Sequence, residues 1–335
     1  MISRRRFLRG LMLAGAGSAL SPRTERASAE APPETTRLRL LQFPGSTCQA
    51  PLYVSEELLR AEGFTDVTFV RTDGGVLARN LASGEVDLGM NFVAPNIVRI
   101  AAGDPVVILS GGHVGCFELF GNDTVRTVRN LKGKKVALAY GLEGPEHVFL
   151  ASILSQVGLD AQKDVTWLEH RGLADATQAF GAGTADAILA FPPHSQDLRA
   201  RKIGRSLLNS ALDRPWSQYF CCLVAGHRDF VRSHPVATKR AVRAILKAAD
   251  LCALQPERTA RTLVDGGFAE RYDYAVELMK GLPYGKWREY DAADTVRFYA
   301  LRLREAGMIT TSPQKIIAQG TDWRFLDELK KELKG

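Results

Sequence analysis

Short apolar runs alternate regularly with amphipathic, helix-periodic segments along most of this chain. Runs of Val, Ile, Leu and Ala read as strands buried on both faces, and their alternation with helices is typical of mostly parallel, helix-covered sheets. From residue 229 onward the pattern is helical, and Pro235 and Pro256 stand where helices begin. The predicted strands are residues 38–43, 67–71, 86–91, 106–110, 135–140, 165–170, 187–191 and 220–225.

One pattern occurs twice, in residues 84–92 and again in residues 183–191. In each copy a helix ends at Gly, a tight turn passes through Asp, and a buried strand runs to Phe, followed by a loop with Pro. This repeat predicts two similar α/β lobes. Because ligands of open α/β sheets bind at the carboxyl ends of strands, we expect a cleft between the facing lobes.

Residues 1–29 have the form of a cleaved signal peptide. A basic block at residues 3–9 leads into an apolar stretch at 11–20, which is shorter than the ~20 residues of a membrane-spanning helix, and Ala27-Ser28-Ala29 offers a cleavage site. The pattern S-R-R-x-F-L-R resembles a twin-arginine export signal, with an ordinary secretory signal as the alternative. Both predict a periplasmic protein.

Removal of residues 1–29 takes away six Arg and one Glu, so the formal net charge falls from +7 to +2. The remaining chain has no Lys/Arg run interleaved with aromatic residues, and we therefore expect no nucleic-acid partner. Residues 30–335 exceed the usual size of one hydrophobic core, which again favours two lobes. We expect a monomer.

Four segments carry a family resemblance: L-R-L-x-x-F from Leu38, A-S-G-E-V-D-L-G-M-N from Ala82, N-L-K-G-K-K-V-A-L-A-Y-G from Asn130, and G-x-x-D-A-I-L-A-F-P-P from Gly183. With them, residues 37–307 resemble the periplasmic binding proteins for nitrate, taurine and aliphatic sulfonates, a group that includes thiamine-pyrimidine-like binders. The resemblance implies an α/β, type II periplasmic binding protein fold: two Rossmann-like lobes, two crossover segments and a helical C-terminal region. It also implies a substrate-binding component of an ABC importer, with a permease and its ATPase as partners.

By the same analogy, the crossovers are expected near residues 120–126 and 218–224. The resulting division is a signal peptide at 1–29, a linker at 30–36, lobe 1 at 37–122 and 224–335, and lobe 2 at 123–223.

The loops predicted at the cleft contain glycines that open helices and aromatic residues that end strands. A helix N-terminus can hold an anionic group, although glycines also simply make turns. Aromatic walls favour a ligand with a planar or apolar part, with packing as the alternative for Phe43, Tyr140 and Phe191. We therefore expect a small organic solute, anionic or aromatic/heteroaromatic. The predicted ligand-binding residues are Thr47, Cys48, Tyr53, Gly74, Gly75, Asn91, Phe92, His113, Phe117, Tyr140, Glu143, His147, Arg171, Phe191, His194 and Tyr219.

Four of the six histidines (residues 113, 147, 170 and 194) fall in predicted cleft loops, near Cys48 and Cys116. First-row metal sites need three or four ligands at fixed geometry, and His113 with Cys116 forms the one short-spaced pair. We therefore predict no metal and no cofactor, and expect one or two histidines to hydrogen-bond the ligand. A Cys48–Cys116 disulfide is a further alternative, and it requires the two Cα atoms to lie within ~7 Å of each other. Cys221 and Cys222 are expected to be small buried apolar residues.

No catalytic motif or nucleophile with a visible base is found, so no catalytic residue is predicted. The alternative is an enzyme on the same fold, because the sequence is also similar to thiamine-pyrimidine synthases, which use a cysteine-rich motif, an active-site His and a pyridoxal phosphate-binding Lys. Tyr219-Phe-Cys-Cys222 is a partial echo of that cysteine motif. Export counts against this alternative, since the substrates of that enzyme are cytoplasmic. A third alternative is a periplasmic sensor or scaffold, which would be expected to carry a membrane anchor or a fused partner. No second apolar stretch in the sequence approaches membrane-spanning length, so this alternative is not favoured.

Overall fold

The computed structural model describes residues 30–333, which form two five-stranded sheets covered by helices. The strands are β1 (Arg37–Gln42), β2 (Asp66–Arg71), β3 (Leu88–Phe92), β4 (Val106–Val114), β5 (Glu118–Gly121), β6 (Lys134–Leu138), β7 (Val165–Glu169), β8 (Ala187–Ala190), β9 (Arg205–Asn209) and β10 (Phe220–His227). The first sheet has the order β2-β1-β3-β10-β4, and the second has the order β7-β6-β8-β5-β9. The predicted signal peptide lies outside the described residues.

Helices cover both sheets and make up most of the chain after β10. They are α1 (Ala50–Tyr53), α2 (Glu56–Ala61), α3 (Leu77–Ala82), α4 (Val93–Ala101), α5 (Pro145–Gln156), α6 (Leu173–Gly181), α7 (His194–Ala200), α8 (Arg228–Ser233), α9 (Pro235–Leu254), α10 (Pro256–Asp265), α11 (Tyr272–Gly281), α12 (Ala292–Glu305), α13 (Pro313–Gly320) and α14 (Arg324–Glu332). Pro235 and Pro256 each open a helix, as predicted, because proline costs no hydrogen bond in the first turn. Within residues 30–333, no helix combines the length and apolar character needed to cross a membrane.

Each sheet is mostly parallel, as predicted, with one reversed strand. In the first sheet β1 runs parallel to β2 and β3, and β10 runs antiparallel to its neighbours β3 and β4. In the second sheet β6 runs parallel to β7 and β8, and β5 runs antiparallel to β8 and β9. The α/β architecture with a helical C-terminal region is therefore confirmed.

The repeated Gly–Asp–strand pattern has the same role in both sheets. Gly84 and Gly183 follow α3 and α6 with positive φ angles of 74° and 76°, a conformation that glycine adopts at low cost. Asp87 then accepts a hydrogen bond from the backbone N–H of Arg39 at 2.7 Å, and Asp186 accepts the equivalent bond from Lys135 at 2.9 Å. Each aspartate thus ties the start of its strand to the neighbouring parallel strand.

The chain passes from the first sheet to the second between Val114 and Glu118, and it returns between Asn209 and Phe220. The first passage comes before the predicted crossover at 120–126, and the second begins before the predicted crossover at 218–224 and overlaps its first residues. The sequence pattern missed β5, which is only four residues long, and β9, which is half-exposed and polar at both ends. The predicted domain division at 122 and 223 stays a prediction.

Candidate functional site

Two adjoining cavities open between the two sheets, and both are lined by Phe43, Pro44 and Arg71. The larger has a volume of about 980 Å³ and the smaller a volume of about 730 Å³. Together we call them the cleft. Part of its wall is formed by residues at or just beyond the ends of β1, β2, β6, β7 and β8, because the carboxyl ends of parallel strands meet at one edge of each sheet.

Two arginines enter the smaller cavity from opposite sheets. Arg71 is the last residue of β2, and Arg171 lies just beyond β7. Among residues 30–333, neither guanidinium group has a carboxylate within ion-pair distance, and both residues are exposed. Arg71 also borders the larger cavity, where the other two arginines, Arg201 and Arg271, are paired with carboxylates. The smaller cavity therefore offers positive charge to an anionic group.

Backbone N–H groups at one glycine-opened helix start and at the end of β6 are occupied by the chain's own carboxylates. Asp73 accepts a hydrogen bond from Gly75 N–H at 2.9 Å. One carboxylate oxygen of Glu146 accepts the N–H groups of Ala139 and Tyr140, both at 2.8 Å. These three amides are therefore already hydrogen-bonded within the chain, and Asp73 places a negative charge in the smaller cavity.

Glu146 lies beside the cleft in the first turn of α5 and is only 1% exposed. Burial raises its pKa to about 7, although hydrogen bonds from the backbone N–H groups of its own residue, Ala139 and Tyr140 oppose that shift. Within the described part of the chain, its second carboxylate oxygen has no hydrogen-bond partner. This carboxyl group therefore changes protonation near neutral pH.

An aromatic cluster joins the two sheets at the inner end of the cleft. The ring of Phe43, which follows β1, lies 5.2 Å from Tyr140 and 5.8 Å from Phe191, which follow β6 and β8. Phe92 and Phe117 extend the cluster on the other side of Phe191. Phe191 is fully buried, so its surroundings are those of a packing residue, whereas Tyr140 is half-buried and lines the smaller cavity.

The sixteen predicted binding residues fall into distinct groups. Thr47, Tyr53 and His194 line the larger cavity, while Gly74, Tyr140 and Arg171 line the smaller one. A separate narrow crevice of about 20 Å³ is lined by Gly74, Gly75, Asn91, Phe92 and Glu143. Outside these three spaces lie Cys48, His113, Phe117, His147, Phe191 and Tyr219.

Burial disfavours the charged form of two histidines near the cleft. It lowers the pKa of His147 to about 4, and the His147 ring lies against Trp167, with the ring centroids 4.8 Å apart. Burial also lowers the pKa of His194, although Asp197 and Glu270 oppose the shift. His194 lines the larger cavity, where its ring can exchange a hydrogen bond with a ligand.

The larger cavity has a wall that the sequence analysis missed. Residues 267–271 between α10 and α11, and Tyr274 and Ala275 in α11, line it although they lie far from any strand end. Phe268 stacks on Tyr53 with the ring centroids 4.6 Å apart, and the Tyr53 hydroxyl donates to Gln49 at 2.8 Å. The consecutive glycines 266 and 267 interrupt the helical pattern, and they were the sequence feature that could have indicated a loop at this wall.

Five further side chains meet in the core rather than in the cleft. They include the predicted binding residues Cys48 and His113, together with Cys116, Cys221 and Cys222. All five cysteines among residues 30–333 are free thiols, so Cys48 and Cys116 form no disulfide in this structure. Cys221 and Cys222 are buried, as expected.

Comparisons with known proteins point to one fold. A family model described as the NMT1-like family matches residues 31–264, and no curated protein matches the sequence.

The periplasmic nitrate-binding protein NrtA from Synechocystis PCC 6803 is 16% identical, with a TM-score of 0.75 over 91% of this chain and 90% of that chain. The alkanesulfonate-binding protein SsuA from Xanthomonas axonopodis pv. citri, bound to MOPS, is 20% identical, with a TM-score of 0.67 over 83% and 96%. The aliphatic sulphonate binding protein SsuA from Escherichia coli is 20% identical, with a TM-score of 0.64 over 87% and 94%. These likenesses confirm the periplasmic binding protein fold.

Proposed function

Because the chain belongs to the NMT1-like family and has the periplasmic binding protein fold, we propose that it is the substrate-binding component of an ABC importer. The nitrate- and sulfonate-binding proteins that share its fold support this role. Exported by its twin-arginine signal, it works as a monomer in the periplasm. It captures a small solute in the cleft and delivers it to a permease and its ATPase.

The observation that carries the proposal is the pair of unpaired cations, Arg71 and Arg171, that face one cavity from opposite sheets. In the proposed mechanism, an anionic group placed between them contacts both walls in the closed form and only one wall in the open form. Such a ligand binds the closed form more tightly than the open form, and this difference in affinity drives closure. We therefore propose a ligand with a carboxylate, sulfonate or similar anionic group.

The dimensions of the cleft favour an organic solute over a bare inorganic ion. Cavities of about 980 and 730 Å³ fall within the size range of small-molecule sites, roughly 300–1,000 Å³. Phe43 and Tyr140 provide apolar surface next to the two arginines. An aromatic or heteroaromatic body that carries one anionic group fits both features.

An enzyme of the thiamine-pyrimidine synthase type is the second candidate function. The observation that favours it is the pair Cys221 and Cys222 in β10, which matches part of a cysteine-rich motif. Both thiols are buried, and neither lines the cleft cavities. A binding protein without catalytic activity is therefore our proposal.

A ligand screen tests the function. Native mass spectrometry of freshly purified protein, followed by thermal-shift assays with sulfonates, carboxylates, pyrimidines and aromatic acids, should identify a solute that raises the melting temperature. The bound compound should be recovered chemically unchanged after prolonged incubation. Conversion of the compound into a product would contradict the binding role and favour the enzyme.

The arginine pair is tested by Arg71→Ala and Arg171→Ala. Each loses a charge-assisted hydrogen bond, which contributes about 1.5–3 kcal/mol, so the dissociation constant measured by calorimetry should rise about tenfold or more. Arg126→Ala is the matched control, because Arg126 is exposed and lines neither cavity. Equal ligand affinity in all three variants would show that neither Arg71 nor Arg171 binds the ligand.

A further inference from the structure

A cluster of four cysteines and one histidine is packed into the core where the two sheets join. Cys48, His113, Cys116, Cys221 and Cys222 are each at most 6% exposed. Their ligand atoms form two overlapping sets, Cys48–His113–Cys222 and Cys116–Cys221–Cys222, and within each set all atoms lie within 4.8 Å of one another. Cys222 belongs to both sets and therefore stands at the centre of the cluster.

The fold brings these residues together from distant parts of the chain. Cys48 lies in a short 3₁₀ helix (Thr47–Gln49) that follows β1, and His113 is near the end of β4. Cys116 lies in the segment by which the chain leaves the first sheet, while Cys221 and Cys222 begin β10, by which it returns. The cluster thus touches both connections between the sheets.

The His113 imidazole is prepared to act as a ligand. It is fully buried, and its Nδ1 lies 3.3 Å from the Val114 carbonyl oxygen, which can only accept a hydrogen bond. The proton therefore belongs on Nδ1, and the lone pair on Nε2 is left available. Within the described residues, Nε2 has no hydrogen-bond partner, an uncommon state for a buried polar atom.

Neighbouring groups hold the thiols in place. The Tyr284 hydroxyl donates to the Cys48 carbonyl at 2.9 Å, and its ring packs 5.1 Å from the His113 ring. Cys116 adopts a φ of +119°, an unfavourable conformation for a residue with a side chain, and such strain is concentrated at functional sites. Its Sγ lies 2.8 Å from the Sγ of Cys221.

We propose that Cys48, His113, Cys116 and Cys222 form a buried site for one thiophilic cation, Zn²⁺ or Cu⁺, with Cys221 hydrogen-bonded beside it. Three thiolates and one imidazole are a ligand set that tetrahedral zinc accepts, and thiolates also select Cu⁺. A Zn–S bond of about 2.3 Å places tetrahedral sulfurs about 3.8 Å apart, and the ligand atoms of Cys48, His113 and Cys222 lie within 4.8 Å of one another, as do those of Cys116 and Cys222. Cys116 therefore joins the site through its proximity to Cys222. A bound cation ties both connections between the sheets and stabilises the junction about which the cleft closes. This site is independent of the proposed transport function.

Metal analysis of the full-length chain tests the site. Protein reduced under anaerobic conditions and freed of metal by a chelator is titrated with Zn²⁺ or with Cu⁺, each in competition with a chromogenic chelator. One equivalent of one of the two cations should bind, raise the melting temperature and protect the clustered thiols from alkylation. The two titrations decide between the cations. If neither is bound by the fully reduced protein, the proposal is wrong.

Variants locate the bound cation. Cys222→Ser and His113→Asn should each weaken binding of the cation at least a hundredfold. Because His113→Asn leaves every thiol intact, it still tests the site if Cys222→Ser does not fold. Cys252→Ser is the matched control, because Cys252 is a fully buried cysteine in α9 outside the cluster. Co²⁺, whose visible absorption reports thiolate ligands, should lose its thiolate bands in the first two variants and keep them in the control. Unchanged binding in both ligand variants, or a Cys116–Cys221 disulfide that persists with no metal uptake after reduction, would overturn the proposal.

Discussion

Glu146 is a buried carboxyl group whose protonation affects the stability of this fold. It satisfies two backbone N–H groups with one oxygen, while its other oxygen is buried without a partner among residues 30–333. Below pH 4.5, its ordinary pKa, the group is neutral in the folded and unfolded protein alike. As the pH rises through about 7, the folded protein must bury a carboxylate, so stability falls.

We predict that Glu146→Gln removes part of this pH dependence. At ~1.4 kcal/mol per pKa unit, the shift corresponds to an upper limit of roughly 3 kcal/mol of stability lost between pH 5 and 8. Urea unfolding at several pH values should therefore show that the variant is more stable than the wild type at pH 8 but not at pH 5. Glu57→Gln, at an exposed site, should leave the wild-type slope unchanged, and parallel pH curves for wild type and Glu146→Gln would contradict the prediction.

At the scale of elements, the short 3₁₀ helix Gly74–Val76 is fitted closely between the aromatic rings of the cleft. A Cβ atom on Gly74 would lie 2.6 Å from the Phe43 ring and 2.7 Å from the Tyr140 ring. Glycine is therefore required here by the close approach of the backbone to two rings, one from each side of the cleft. The sequence pattern predicted that Gly74 lies at the cleft but indicated anion binding at a helix N-terminus, rather than close ring packing, as its role.

We predict that Gly74→Ala forces these rings apart. Overpacking of this kind costs about 1–3 kcal/mol, and the free energy of unfolding in urea should fall by that amount. Ligand affinity should fall as well, because the displaced rings line the cleft. Gly281→Ala, where a Cβ meets no atom within 4 Å, is the control and should be neutral. A fully stable Gly74→Ala protein with normal affinity would show that the rings move freely.

At the scale of the whole molecule, the ion pair between Arg79 and Glu143 spans the cleft outside its cavities. The Arg79 guanidinium in α3 lies 2.6 Å from the Glu143 carboxylate, which belongs to the loop between β6 and α5. Both side chains are about half-exposed, so solvent screens the attraction and the pair contributes little to stability. The two partners nevertheless lie on opposite sides of the cleft, so the attraction between them depends on the distance between the two sheets.

We predict that charge reversal at this pair weakens closure. Arg79→Glu places two carboxylates together and should raise the dissociation constant of the ligand a few-fold, and the double variant Arg79→Glu/Glu143→Arg should restore it. The effect should fade at high salt. Small-angle scattering should show a ligand-induced decrease in radius of gyration that is smaller in the single variant. A double variant as weak as the single one would exclude an electrostatic role.

The parts of the fold that depend on local pattern were predictable. Apolar runs buried on both faces identified eight of the ten strands among the described residues, and the two Gly–Asp–strand segments indicated two matching sheets. Arg171, Tyr140 and His194 were also placed in the cleft, because residues just beyond parallel strands share one edge of a sheet. Arg71 was missed since it is the last residue of a strand rather than part of a loop.

Amino-acid order alone therefore determined the alternation of strands and helices, and with it the fold class, since hydrophobic periodicity is set by residues a few positions apart. Tertiary structure decided which distant residues meet. The wall at residues 267–275 reaches the cleft through helix packing, and Cys48, His113 and Cys222 converge because β10 returns between β3 and β4. No spacing along the chain encodes that strand order, because it minimises the free energy of the whole core rather than of any one segment.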